Sequence, residues 1–367
     1  MTRLVTAMVT GVGGGGHGEQ ILKALRLADT PYRVVGSDIT PYSSGLTAVD
    51  QPCLMPPPSD DGYIETLLAV CAAEGVEALF AGSQPELEAL SANRDAVTAA
   101  AIFLPINPPE VIETCLDKVR TMEALGAAGF AVAAYRRIRS LEDAAGFESL
   151  PAVLKPSIGG GGSANLYLVQ DRDEMIACAR QLLAIYPEFI AQEYIGRPED
   201  EYTVGVLVGM DGDVLNSIAI RRFILPALSN RIKIRNRTAR DDLGPLLAVS
   251  SGISQGHIGR FPEVTAPCEE IARALGARGP FNIQCRLVGG RVHVFEINPR
   301  FSGTTSLRAM VGCNEPDTLV RAHVLRHEIE PHFAYREGVV TRSLAETLID
   351  RADIPTATEL ACGLLAT

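Results

Sequence analysis

Apolar positions in the first hundred residues follow two alternating periods. Short apolar runs at 3–10, 33–38 (RVVGSD) and 77–83 (EALFAGS) read as strands. Between them EQILKALRLA (19–28), YIETLLAVCAAEG (63–75) and PELEALSANRDAV (85–97) repeat apolar residues at helical spacing. Strands alternating with helices of this length imply a parallel sheet covered by helices. PINPPEV (105–111) then breaks the pattern and marks a boundary near residue 108.

The remainder reads differently. DKVRTMEALGAAG (117–129) is helical, and PAVLKPSIGGGGSAN (151–165) is a strand running into a glycine loop. DRDEMIACARQLLAIYP (171–187) is a helix, and EFIAQEYI (188–195) a strand. EYTVGVLVGMDGDVLNSIAI (201–220) predicts a hairpin turning at Asp211-Gly212. A helix near 263–276 precedes a second hairpin, FNIQCRLVGGRVHVFEINPRFSG (281–303). Beyond 330 only the strand-like GVVTRSL stands out, and no chemistry is readable there.

At 367 residues the chain is long enough for two or three domains. Its net charge of −11 excludes a general nucleic-acid binder, which would need an excess of Lys and Arg. No apolar run reaches the ~18 residues of a membrane span, and no signal peptide is expected at the N-terminus. The eight cysteines are scattered with no C-x-x-C pair, as expected of free, mostly buried thiols in a reducing cytoplasm. Arginine is the default cation: the only lysines are Lys23, Lys118, Lys155 and Lys233.

Three stretches carry candidate chemistry. TGVGGGGHGEQ (10–20) has glycine at five of the six positions from Gly11 to Gly16, and with Asp38 it spells a dinucleotide fingerprint. The same spelling suits a tight turn in any doubly wound domain, or amides offered to a substrate carboxylate. The second loop sets Lys155 four residues before Gly159–Gly162, a cation beside exposed amides that suits polyphosphate. In the 281–303 hairpin, a three-residue turn at Gly289-Gly290-Arg291 would pair Gln284 with Glu296, Ile283 with Ile297 and Cys285 with Phe295. Asn282, Gln284, Arg286, Glu296 and Asn298 then share a polar face. Carboxylate and amide oxygens beside a cation, Arg300, are what Mg²⁺-bound phosphates require. Arg221, Arg222, Arg231, Arg235, Arg237 and Arg240 form either a solvated face or a carboxylate-recognition group.

Taken in order, DKVRTMEAL, VLKPSIGGGGSAN, AQEYIGRPEDEYTV and FNIQCRLVGGRVHVFEINPRFSG resemble the ATP-grasp superfamily, in the branch of carbamoyl-phosphate synthetase large subunits and amino-acid ligases. The likeness runs from the first strand to about residue 330. It implies an α/β and α+β multidomain protein: an N-terminal Rossmann-like domain (1–108), a linker helix and small lid (109–195), a large subdomain with the metal hairpin (196–330) and a C-terminal extension (331–367). It also implies ATP and Mg²⁺, or Mn²⁺, as cofactors. Lys118 and Lys155 match the cations that hold the phosphates, under a loop formed by Gly159, Gly160, Gly161, Gly162 and Ser163. Glu193, Tyr194 and Ile195 match the adenine-side strand, and Glu201 the ribose-contacting acid. Gln284, Glu296 and Asn298 match the metal ligands. Arg300, with Lys155, would act on the γ-phosphate or an acyl phosphate, and His257 matches a position beside the nucleotide.

The implied reaction joins a carboxylate to an amine through an acyl phosphate, on amino acids or other small metabolites, in the cytoplasm, with no nucleic-acid or membrane partner and a homodimer as the default assembly. Gly14, Gly15, Gly16, Arg221 and Arg300 are then candidates for the substrate carboxylate. A biotin- or bicarbonate-dependent carboxylase and an NAD-dependent oxidoreductase are the competing readings.

Overall fold

In the first sheet every strand is short, apolar and parallel to its neighbours. The computed structural model describes residues 3–14, 16–159, 165–349 and 354–362. Its first unit runs β1 (Val5–Val9), α1 (His17–Arg26), β2 (Tyr32–Asp38), β3 (Gln51–Leu54), α2 (Tyr63–Glu74), β4 (Ala78–Phe80), α3 (Gln84–Ala92) and α4 (Arg94–Ala99). The strand order is β3-β2-β1-β4, all parallel, as the strand–helix alternation predicts. The expected single helix over 85–97 is two. Asn93 leaves helical geometry (φ −117°, ψ 26°) and ends α3 as it starts α4. The proline-rich break opens directly into a helix, α5 (Pro109–Leu116), because proline suits a first helical position.

Next come α6 (Lys118–Ala127), β5 (Tyr135–Ile138), α7 (Leu141–Ala145), β6 (Ala152–Pro156), β7 (Tyr167–Val169), α8 (Arg172–Leu183) and β8 (Phe189–Glu193). Their strands form an antiparallel sheet, β5-β8-β6-β7. The third unit holds β9 (Glu201–Val208), β10 (Val214–Arg222), β11 (Asn230–Arg235), β12 (Leu246–Ser250), β13 (Gly256–Gly259), α9 (Pro262–Ala274), β14 (Gly279–Val288), β15 (Arg291–Asn298), α10 (Thr305–Met310), α11 (Glu315–His323) and β16 (Gly338–Val340). Six of these strands form one antiparallel sheet, β15-β14-β9-β10-β13-β16. β9 lies inside it and is buried along its whole length, which explains its near-continuous apolar sequence. The pair β11-β12 stands apart. A last helix, α12 (Ala357–Ala361), returns to the first unit, where Ala357 and Leu360 join the apolar cluster of α2.

Seven of the eight cysteines are buried or half-buried, and all are free, as expected. No helix among the described residues is long and apolar enough to cross a membrane.

The carboxyl ends of β1 and β4 are stacked tightly on the start of α1. A Cβ on Gly82 would stand 1.7 Å from the Thr10 carbonyl oxygen and 2.8 Å from the Gly18 Cα. Gly126 lies exposed in α6 with nothing nearer than 4.0 Å. Gly82→Ala should therefore lower stability by about 1–3 kcal/mol through overpacking, whereas Gly126→Ala should raise it by roughly 0.5–1 kcal/mol by removing helix-interior glycine. Thermal melts of the two variants check this, and the opposite order would contradict the packing described.

Candidate active site

A cavity of about 800 Å³ opens where the three large sheets meet. Its cationic wall begins with Asp117, which caps α6 by accepting from the Val119 and Arg120 amides (2.9 and 3.2 Å) and from the Ser157 hydroxyl (2.6 Å). That cap ties the end of β6 to the start of α6, so Lys155 and Lys118 line the same wall. Burial draws the Lys155 ammonium down to about 8; the nearby Glu296 carboxylate opposes the shift, and the Lys118 charge adds to it. Gly159 lines the cavity beside them. Gly160, Gly161, Gly162 and Ser163 lie outside the described residues.

The second hairpin reaches the expected register by another route. Its turn is two residues, Gly289-Gly290, both at positive φ (57° and 74°), with Val288 opposite Arg291. Ile283 faces Ile297 and Gln284 faces Glu296, as expected, but Cys285 pairs with Val294 and not Phe295. Phe295 is the extra residue of a bulge that restores the register. Its carbonyl accepts the Lys155 Nζ hydrogen bond at 2.8 Å, so the bulge also positions the lysine.

Gln284, Glu296, Asn298 and Arg300 all line the cavity. Asn298 links the last three: its amide nitrogen donates to Glu296 (3.1 Å) and its Oδ1 accepts from Arg300 (2.8 Å). Arg300 Nη1 donates to the Phe301 carbonyl, and its buried Nε has no partner. Among the described residues no three His, Cys, Asp or Glu side chains could hold a metal alone. One carboxylate with two amide oxygens fits Mg²⁺ when phosphates and water complete its shell.

At the end of β8, the neighbour of β6 in its sheet, Glu193, Tyr194 and Ile195 line the cavity. Glu193 pairs with Arg240 (3.2 Å). The Tyr194 hydroxyl bonds both backbone groups of Ala248, and its ring lies 4.2 Å from the Arg286 guanidinium. Glu201 is 2% exposed and held between Arg222 and Arg286, each at 3.1 Å. It lines the cavity, but both its oxygens are engaged by arginines.

Two expected residues lie elsewhere. Arg221 and His257 face each other across β10 and β13, both exposed, in a shallow depression with Phe261 and Glu337. Side chains alternate along a strand, so Arg222, one residue on, is the arginine that reaches the cavity. Arg231, Arg235 and Arg237 form the solvated face of the arginine segment.

In the first glycine loop Gly16 lines the cavity, Gly14 is exposed, and Gly15 lies outside the described residues. The amides of Val12, Gly13 and Gly16 are already taken, by Ser37 O, Asp38 Oδ2 and Gly13 O. That leaves those three amides no proton for a pyrophosphate or a carboxylate, contrary to the fingerprint reading. Sequence reasoning missed His17 and Glu86, which line the cavity here. Burial, with the Arg300 charge behind it, draws His17 down to about 3, so its imidazole is neutral at pH 7. Glu86 sits three residues after Ser83, a spacing that reads as a helix cap and hides its second role.

Residues 249–346 match the family described as ATP-grasp in the biosynthetic pathway with Ter operon, and residues 11–104 match the PylC-like N-terminal domain. The chain carries an ATP-grasp domain. It is 29% identical over 210 residues to the uncharacterized protein y4rH of Sinorhizobium fredii, covering 54% of this chain and 39% of that one. It is 28% identical over 211 residues to the carbamoyl phosphate synthase large chain of Thermoplasma acidophilum, covering 54% of this chain and 18% of that one. The ATP-grasp chain thus spans less than half of either curated relative. Among solved structures it is similar to an ADP complex of purK, N5-carboxyaminoimidazole ribonucleotide synthetase (TM-score 0.62, 17% identity, 88% of this chain and 77% of that one). It is also similar to the L-amino acid ligase of Bacillus licheniformis (TM-score 0.57, 18% identity, 90% and 78%).

Two expectations follow from the ion pairs and from Lys155. Glu201→Gln leaves two buried guanidiniums uncompensated and should lower stability by about 3–5 kcal/mol, read as the shift of a denaturant midpoint. Lys155 is charged below about 8, so ADP affinity should hold between pH 6.5 and 7.5 and weaken as pH rises through 8. Isothermal titration across pH 6.5–9.5 checks the sign, and Lys155→Met should flatten the profile.

Proposed function

We propose that the chain is an ATP- and Mg²⁺-dependent ligase that joins a small-molecule carboxylate to an amine and releases ADP and phosphate. One observation carries this reading: a single cavity holds Lys118, Lys155 and Arg300 beside the oxygen donors Gln284, Glu296 and Asn298. The division at residues 108, 195 and 330 goes with it, as does adenine against Glu193–Ile195.

The chemistry needs no protein nucleophile. A substrate carboxylate oxygen attacks the γ-phosphorus of ATP, the bond to the bridging oxygen breaks, and ADP leaves with that electron pair. The amine then attacks the acyl phosphate carbonyl, and phosphate departs as the amide forms. Lys118 and Lys155 would hold the phosphates, with Gly159 beside them. Arg300, freed from Asn298, would face the transferred phosphoryl group with its unpartnered Nε. Gln284, Glu296 and Asn298 would hold Mg²⁺, or Mn²⁺, which supplies charge neutralisation at the phosphate oxygens. Positioning and electrostatics account for the rate more than proton transfer does. Both the N5-carboxyaminoimidazole ribonucleotide synthetase and the L-amino acid ligase neighbours support the fold of such an enzyme.

Hydroxylamine tests this directly, because it intercepts acyl phosphates as hydroxamates. With ATP, Mg²⁺ and a panel of carboxylates, hydroxamate should accumulate in step with ADP. Glu296→Ala should lower that rate by at least about 100-fold, with the melting temperature kept. ADP release that requires bicarbonate and no amine would transfer the chain to the carboxylases.

A further inference from the structure

The far wall of the cavity, at the first glycine loop, is acidic. β1 is flanked by β2 and β4, and the strand order reverses between β1 and β4. Ligands of open parallel sheets settle in the crevice outside the carboxyl ends at such a point. Asp38 enters this crevice from the end of β2 and Glu86 from the first turn of α3, and both line the cavity.

Glu86 is 5% exposed, yet its Oε2 has no hydrogen-bond partner among the described residues. The oxygen fits only because residue 11 is glycine: a Cβ there would stand 2.7 Å from it. Asp38 accepts from the Gly13 and Thr40 amides (2.9 and 3.3 Å), and no Lys or Arg side chain among the described residues hydrogen-bonds to either carboxylate. Burial holds the Glu86 carboxyl above the usual range, and the nearby Asp38 charge adds to the rise. A hidden carboxylate oxygen without a donor is unfavourable until a donor or cation arrives. The same cavity also presents Arg300, Lys155 and Lys118. A ligand carrying both charges matches this polarity, and a simple carboxylate does not.

We propose that Glu86 and Asp38 form an ammonium-binding subsite, so that the carboxylate substrate is an amino acid held between this acidic wall and the Arg300 side of the cavity. The proposal rests on the ligase reading and names its substrate class. His17, neutral and lying between the glycine loop and Arg300, borders the same space with its buried Nδ1 unpartnered. It is suited to hydrogen-bond the substrate without adding charge.

The test compares each common amino acid with the same acid lacking its α-amino group. Two readouts are used on the full chain: ATP-dependent hydroxamate formation, and the melting-temperature shift caused by the acid in the presence of ADP and Mg²⁺. At least one amino acid should exceed its deaminated partner by about 100-fold or more in hydroxamate kcat/KM, as expected when a buried polar site loses its partner. It should also raise the melting temperature where the deaminated acid does not. Glu86→Gln should erase most of that discrimination while ADP binding persists. Equal hydroxamate from both members of every pair would overturn the subsite and uphold the ligase. Bicarbonate-dependent ADP release with no hydroxamate from any acid would overturn the ligase reading. In that event the melting shifts decide the subsite by themselves: a shift with amino acids lost in Glu86→Gln upholds it, and no shift overturns it. The wild-type comparison stands even if Glu86→Gln fails to fold.

Discussion

The cavity depends on one buried carboxylate. Glu201, at the start of β9, neutralises Arg222 from β10 and Arg286 from β14. Each guanidinium also donates to nearby backbone carbonyls. Arg222 reaches Ser251 and Ile253, and Arg286 reaches Ile195, Gly196 and Ala248. Three segments that border the cavity are therefore anchored through one negative charge. Two buried arginines without it would be strongly unfavourable, and the carboxylate alone equally so. Glu201 also lines the cavity, so a sugar hydroxyl bound there would share its oxygens with these charge-assisted hydrogen bonds.

The bulge at Phe295 does similar work at the other end. It sets Glu296 opposite Gln284 after a turn one residue shorter than the sequence suggested, and it aims a carbonyl at Lys155. Removing the extra residue would disturb the lysine and the oxygen donors together. The phosphate end is thus coupled to the metal end through backbone as well as charge.

Much of this was legible in the sequence, for physical reasons that can be named. Parallel strands with intervening helices follow from apolar period alone, and the Gln284–Glu296 pairing follows from period-two alternation. The bulge was not legible, because a two-residue Gly-Gly turn with a bulge and a three-residue turn without one give the same pairing at Gln284. Arg221 and Arg222 differ by one position, and only the strand's orientation decides which faces inward. His257 sits on β13 of the same sheet, and its exposure there was unreadable without the sheet order. The arginine segment was legible as a solvated face, apart from Arg222 and from Arg240, which pairs with Glu193.

The glycine fingerprint was the least reliable signal, and its failure is instructive. Gly-x-Gly-x-x-Gly with an acid after the second strand requires free amides and a free carboxylate. Here Asp38 and the Gly13 amide are bonded to each other. A Cβ on Gly13 would strike Asp38 Oδ2 at 2.8 Å and Ser43 Oγ at 2.2 Å, so this glycine serves the contact and not a pyrophosphate. Gly11 likewise makes room for Glu86. The loop is small-residued because two carboxylates and a helix start crowd it. Two carboxyl groups, Asp38 and Glu86, stand where a dinucleotide's phosphates would need donors. Spacing alone cannot distinguish those cases, because glycine is required by both. What separates them is the partner that fills the space the missing side chains leave.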